Sequence, residues 1–144
     1  MTLQTSAPAH DPPRRTILLV EDEPFVRDAT RRILEHAGFE VLSTEDARQA
    51  TKVYEECARG IDLVMTDMVL PGRSGQQLGQ DLRERSPEVV VLVTSGYGNP
   101  EYEAEKPESR TYFLAKPYSR RALVEKIETI LGTASLRQAA GKAG

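Results

Sequence analysis

Asp22, Asp67, Ser95 and Lys116 each follow directly on, or within two residues of, an apolar run. The runs are Thr16 to Val20, Ile61 to Thr66, Val89 to Thr94 and Tyr112 to Ala115. Two carboxylates, a hydroxyl and an ammonium brought to one crevice could hold a divalent cation and a phosphoryl group. Glu21, beside Asp22, adds a third carboxylate. Three carboxylates without a counter-charge repel, and at least one pKa must rise. A hard cation removes that conflict. Mg²⁺ prefers octahedral oxygen ligands, keeps several waters, and is usually held by one or two carboxylates plus a phosphate. Lys116 offers a mobile positive charge for one phosphate oxygen, and Ser95 a donor for another. Phosphoryl transfer asks a protein mostly to position groups and neutralise charge, and a carboxylate can be the acceptor.

Elements that alternate strand and helix would converge these groups. Short apolar runs read as strands buried on both faces. After the first, Pro24 suits a first helical turn. Val26, Ala29, Ile33 and Ala37 recur at helical spacing, and Gly38 stops that helix. Phe39 to Leu42 makes a short second strand. Ala47, Ala50, Tyr54 and Cys57 outline a second helix closed by Gly60, with Cys57 expected in the core. Leu78 and Leu82 mark a third helix that ends at Ser86-Pro87; Leu123, Ile127 and Ile130 mark a last one stopped by Gly132. Asn99 to Arg110 breaks the pattern. It holds Pro100, Pro107 and four glutamates, and a proline inside a helix costs about 3 kcal/mol. A short, irregular or displaced fourth helix is expected there.

Five such strands predict an α/β fold: a flavodoxin-like (βα)5 doubly wound parallel sheet in the order 2-1-3-4-5. Ligands of open parallel sheets bind at the carboxyl ends of the strands. The order puts strands one and three side by side, and so Asp22 next to Asp67. With 144 residues the chain is one domain. Residues 1–14 read as a flexible arm, 15–132 as the domain and 133–144 as a frayed tail. A formal net charge of -3 gives no basic field for nucleic acid. A single cysteine fits a reducing compartment. No apolar stretch nears the roughly 20 residues of a membrane span, and the N-terminus lacks a secretory core. A cytoplasmic location with no membrane insertion is expected.

Four stretches carry a resemblance. Ile17-Leu18-Leu19-Val20-Glu21-Asp22-Glu23 resembles the first strand and acidic pair of response-regulator receiver domains. Asp62 to Asp67, running on through Met68-Val69-Leu70-Pro71-Gly72-Arg73-Ser74-Gly75, resembles their phosphoacceptor strand and loop. Val93-Thr94-Ser95-Gly96-Tyr97 and Phe113-Leu114-Ala115-Lys116-Pro117-Tyr118 resemble the two remaining signature strands. The match covers residues 16–131. It implies that Asp67 accepts a phosphoryl group from a phosphohistidine on a sensor histidine kinase or a histidine phosphotransfer protein. It implies Mg²⁺ held by Asp22, Asp67 and the Val69 carbonyl, with Glu21 helping through water. Ser95, rather than its neighbour Thr94, would bind the transferred phosphoryl group, Lys116 would contact its oxygens, and Lys116–Pro117 would be cis. Phe113 stands at the position of the aromatic switch residue.

The chain also departs from the family pattern. Glu21 replaces a more common aspartate. Phe113 has no phenolic hydroxyl, so a switch there works by packing alone. The Asn99–Arg110 segment alters the face through which the family usually signals. The Ser95-Gly96-Tyr97-Gly98 run resembles receivers of hybrid kinases and some stand-alone receivers. The expected reading is a stand-alone regulator acting as a phosphoacceptor switch, with slow self-dephosphorylation its only turnover. The alternatives are a receiver fragment of a hybrid histidine kinase and a degenerate receiver serving as a binding module. Output could be a phosphotransfer shuttle, a phosphate sink or a phosphorylation-driven homodimer. A Mg²⁺-dependent phosphatase fits less well. Such enzymes need a second acid two residues past the nucleophile, where this chain has Val69.

Taken singly, the same residues have simpler readings. Asp22 or Asp67 could cap a turn, Lys116 could be a solvated lysine, Ser95 a loop hydroxyl, Glu21 a surface charge and Phe113 a core residue. His36 reads as a helix-end surface residue, and His10 lies in the arm.

Overall fold

A computed structural model describes residues 14–57, 60–96 and 105–143, with side chains described as far as residue 132. Tyr97, Asn99, Pro100 and the expected N-terminal arm up to residue 13 lie outside the described residues.

The main strands are β1 (Thr16–Val20), β2 (Glu40–Thr44), β3 (Leu63–Asp67), β4 (Val91–Gly96) and β5 (Thr111–Lys116). The helices are α1 (Pro24–His36), α2 (Ala47–Cys57), α3 (Gly75–Arg85) and α4 (Arg120–Ala143). The five strands form one parallel sheet in the order β2-β1-β3-β4-β5, the order expected from the sequence. Alternation along each strand divides the core in two. Leu18, Val20, Val64, Val91 and Val93 pack against Ala50 and Tyr54 of α2 and Leu78 and Leu82 of α3. Ile17, Leu19, Leu63, Met65 and Leu92 pack against Leu34 of α1 and Leu123, Ile127 and Ile130 of α4. Burying each such side chain stabilises the fold by about 1.5–3 kcal/mol.

The turns behind the strands follow from local chemistry. Gly38 adopts φ 102°, and the N–H of Phe39 bonds back to the Leu34 carbonyl at 3.1 Å, closing α1. After β3, Val69–Leu70 and Arg73–Ser74 pair as a two-rung antiparallel hairpin around Pro71-Gly72, with φ 73° at the glycine. Ser74 then opens α3 with a capping box. Its hydroxyl accepts from the Gln77 N–H (3.0 Å), and its own N–H donates to Gln77 Oε1 (2.9 Å).

Some expectations shift. The buried face of α1 is Thr30 and Leu34, not Val26, Ala29, Ile33 and Ala37. Ile33 is half-buried, and Val26, Ala29 and Ala37 are exposed. A polar Thr30 tolerates burial because the Tyr118 hydroxyl is its partner. Cys57 is exposed rather than in the core, at the very end of α2 rather than under its middle turns. Gly132 does not stop the last helix, which runs to Ala143 through residues read as a tail. An interior glycine costs only about 1 kcal/mol, and the alanines and Leu136 beyond it favour helix. In the fourth crossover, the described part holds a 3₁₀ turn at Pro107–Ser109, with Arg110 in the left-handed region at φ 53°.

Candidate functional site

β1 ends at Val20, and the chain leaves the sheet through Glu21 and Asp22. Glu21 is buried and held at three points. Its N–H donates to the Thr44 carbonyl (3.0 Å), its carbonyl accepts from Arg27 Nη1 (2.8 Å), and its Oε2 accepts from the Glu23 N–H (3.1 Å). On the neighbouring strand Asp67 is the last residue of β3, its carbonyl accepting from the Thr66 hydroxyl at 2.9 Å. Glu21, Asp22 and Asp67 each bring a carboxylate oxygen within 4.8 Å of the others'. Lys116, the last residue of β5, reaches across and donates to Asp67 Oδ2 at 3.1 Å, with Glu21 Oε1 at 3.8 Å.

The electrostatics follow from this crowding. Burial, and then the Asp67 charge, push the Glu21 carboxyl above the usual range, against the pull of the Glu23 N–H. Burial works to lower Lys116, but Asp67 and Glu21 outweigh it and hold the ammonium above its ordinary value. Three carboxylates less one ammonium leave a formal charge of two negatives in an all-oxygen donor set. That is the charge and donor hardness of a Mg²⁺ site rather than of a thiolate or imidazole metal.

Val69 sits in the hairpin beside Asp67, 73% exposed. The Ser74 N–H is taken by Gln77 and the Gly75 N–H by the Met68 carbonyl (2.7 Å), so neither competes for the Val69 carbonyl. Ser95 is the penultimate residue of β4, buried, with its hydroxyl donating to the Gly96 carbonyl at 3.2 Å. Thr94, paired in register with Asp67, is buried as well. Phe113 lies inside β5, buried among Val91 and Val93. The fold therefore clusters the Glu21, Asp22 and Asp67 carboxylates, brings Lys116 onto Asp67, and sets Ser95 and Val69 at the same end of the sheet. Phe113 stays in the core below. The Lys116–Pro117 bond is cis.

Several neighbours escaped the sequence reading. Arg27 clamps the Glu21 carbonyl from the first turn of α1. Phe25 is 89% exposed and Val26 40% exposed, and with Ala29 they line an apolar groove running to Gly96, Lys116 and Pro117. Adjacent Phe25 and Val26 after a helix-starting proline were the available signal, hidden by assigning Val26 to the core. Glu105 Oε2 accepts from the Phe113 N–H (2.9 Å) and from Lys126 of α4 (2.6 Å), tying the fourth crossover to β5.

Residues 17–128 match the response regulator receiver domain family. The chain belongs to that family. It is 32% identical over 117 residues to the sensor kinase CckA of Brucella abortus, covering 81% of this chain and 12% of that protein. It is also 32% identical over 116 residues to the sensory transduction protein RegX3 of Mycolicibacterium smegmatis, covering 81% of this chain and 50% of that one. The chain thus spans half or less of the length of these relatives. Among solved structures, the receiver domain of the hybrid histidine kinase CckA superposes with a TM-score of 0.67 at 33% identity, covering 81% of this chain and 98% of that one. A response regulator receiver domain protein from Clostridium thermocellum gives 0.78 at 25% identity, covering 85% and 98%. As a receiver domain the chain is a signalling switch of the two-component type, and it carries an acidic cluster of Glu21, Asp22 and Asp67. Among the described residues no helix is long and apolar enough to cross a membrane.

Proposed function

We propose that Asp67 is the phosphoacceptor and takes its phosphoryl group from a phosphohistidine on a sensor histidine kinase or a histidine phosphotransfer protein. The observation that carries this reading is the 3.1 Å contact of Asp67 with Lys116 inside a three-carboxylate cluster. Asp22, Asp67 and the Val69 carbonyl would hold Mg²⁺, with Glu21 acting through water. When bound, the ion neutralises phosphoryl oxygens and holds them for in-line attack. An Asp67 carboxylate oxygen attacks phosphorus; a P–O bond forms as the P–N bond breaks. The imidazole leaves with the bonding pair and takes a proton from solvent. Lys116 shifts from the carboxylate to the new phosphoryl oxygens, and the Ser95 hydroxyl donates to another. Phe113, lacking a hydroxyl, answers that movement by packing alone.

Exposed apolar side chains beside a polar site mark a docking face. Phe25 and Val26 flank the groove that leads to Lys116, which suits a protein donor presenting its histidine there. The same reading puts the chain in the cytoplasm.

Intact mass after incubation with acetyl phosphate and Mg²⁺ tests the assignment. Wild type should gain a single phosphoryl group and Asp67→Asn none. Uptake by the Asp67→Asn protein would overturn it. No uptake by wild type, from acetyl phosphate or a phosphohistidine protein, would favour a degenerate receiver used as a binding module.

A further inference from the structure

Arg83 lies next to the buried Leu82 on α3, so its stem is carried beneath the helix toward the sheet. There Nη2 donates to the Thr111 hydroxyl at 2.9 Å. The Nε atom is fully buried and meets no acceptor. Burial, and then the nearby Arg110, hold this guanidinium below its ordinary value; no carboxylate among the described residues contributes. Arg83 is only half-buried, but its Nε–H is fully buried without an acceptor, and such a group is costly. Native structures rarely keep such a group unless something fills the need.

The space beside it is shaped for an anion. Arg83 borders a cavity of about 120 Å³ between α3, the first half of β4 and β5, and the 3₁₀ turn. Among the described residues the polar lining is Gln76, Gln80, Arg83, Lys106, Ser109 and Thr111, with no acidic side chain among them. The floor is Val91, Val93 and Phe113, a low-dielectric surface on which charge attraction is screened little. At roughly 30 Å³ per water, the cavity has about four waters' worth of room, enough for a small oxyanion. Water could accept from Nε but would leave the half-buried Arg83 charge without a counter-charge among the described residues. An oxyanion would answer both, because a guanidinium offers a planar fork of donors to paired oxygens.

We propose that this cavity is a binding site for a small oxyanion, a phosphate, sulfate or carboxylate group, held by the Arg83 guanidinium with Lys106 and the Ser109 hydroxyl. The site is separate from the acidic cluster and does not depend on which residue accepts phosphate. It nonetheless touches the strand that signals from there: Val91, Val93 and Ser95 alternate on the same face of β4.

The Nε–H resonance of Arg83 reports on the site directly. In isotopically labelled protein it should shift saturably on titration with sodium phosphate or sulfate, with a midpoint on the order of 1 mM, against sodium chloride at matched ionic strength. A parallel titration with sodium acetate separates carboxylate from tetrahedral anions. Arg83→Lys keeps the charge and loses Nε; Arg83→Met loses both. Followed through the Thr111 amide, binding should weaken by roughly tenfold or more in either variant. A shift that stays linear with all three anions, or an unchanged midpoint in a folded Arg83→Lys protein, would overturn the proposal.

Discussion

The backbone of Gly75 passes so close to Asp67 that a Cβ built on the glycine would lie 2.2 Å from the Asp67 carbonyl oxygen and 3.1 Å from its carbonyl carbon. The Gly75 N–H is meanwhile fastened to the Met68 carbonyl at 2.7 Å. The first residue of α3 therefore abuts the backbone of the proposed phosphoacceptor, and only a glycine fits. Gly75→Ala must move either the helix start or Asp67, at a cost of roughly 1–3 kcal/mol. A displacement near 1 Å at a reacting group can slow a reaction by roughly 100-fold. Gly79, one turn on, is the control: its added Cβ would meet Val91 at 3.5 Å, an ordinary contact. Phosphoryl uptake from acetyl phosphate should drop sharply in Gly75→Ala and persist in Gly79→Ala. Equal rates in both would remove Gly75 from any positioning role.

Val69 places an apolar, largely exposed side chain next to Asp67. Such a group impedes the water that would hydrolyse an aspartyl phosphate, whereas an amide could hold one in place. Val69→Asn should shorten the lifetime of the phosphorylated protein without slowing its formation from acetyl phosphate. Decay of the mass-labelled species, followed after removal of the donor, measures this. An unchanged or longer half-life would show that Val69 does not guard the site.

The parts of this molecule legible in its sequence are those where one local cause decides. Strands buried on both faces are mostly apolar, so β1, β3 and β4 stand out as runs, as does the Tyr112–Ala115 stretch of the edge strand β5, and the polar residues that end them had to lie at one edge of the sheet. The sequence reading failed where a distant partner overrides the local pattern. Thr30 looks unsuited to a core until Tyr118 arrives from the far end of the chain to satisfy it, and with Val26 and Ala29 assigned to the buried face the exposed Phe25–Val26 pair went unseen. Glu105 is one of four glutamates in a stretch that breaks the helical pattern, yet it accepts the Phe113 N–H at the outer edge of β5. Arg83 reads as an ordinary helix-surface arginine, because no sequence pattern reports a missing counter-ion.

Tyr118 gives a pH signature. Burial pushes its phenol above the usual value, opposed by the Thr30 hydrogen bond and the Lys116 charge and reinforced by Glu21 and Asp67. The folded state thus favours the neutral phenol. Its contribution to stability is complete below about pH 10, the unfolded value, and is lost as pH rises through the higher folded value. Tyr118→Phe cannot ionise. At neutral pH it should be less stable than wild type by about 0.5–1.5 kcal/mol, the usual net worth of a lost hydrogen bond. The difference in Tm should narrow as pH rises beyond about 10. A gap that stays constant through that range would mean that Tyr118 titrates as it does in the unfolded chain.

Phe25 separates docking from chemistry. At 89% exposed it contributes almost nothing to the core, so Phe25→Asp should leave the folding stability within about 0.5 kcal/mol of wild type. Acetyl phosphate reaches Asp67 without touching α1, and labelling by it should be unchanged. A protein donor that seats its helix on the Phe25–Val26 face would lose an aromatic anchor and meet an unpaired carboxylate, which interface truncations put at about 2 kcal/mol or more. Transfer from a phosphorylated histidine protein should therefore slow by roughly 30-fold or more at subsaturating concentration. Equal slowing with both donors would place the defect in the acidic cluster itself. No slowing with either would move the docking face elsewhere on the molecule.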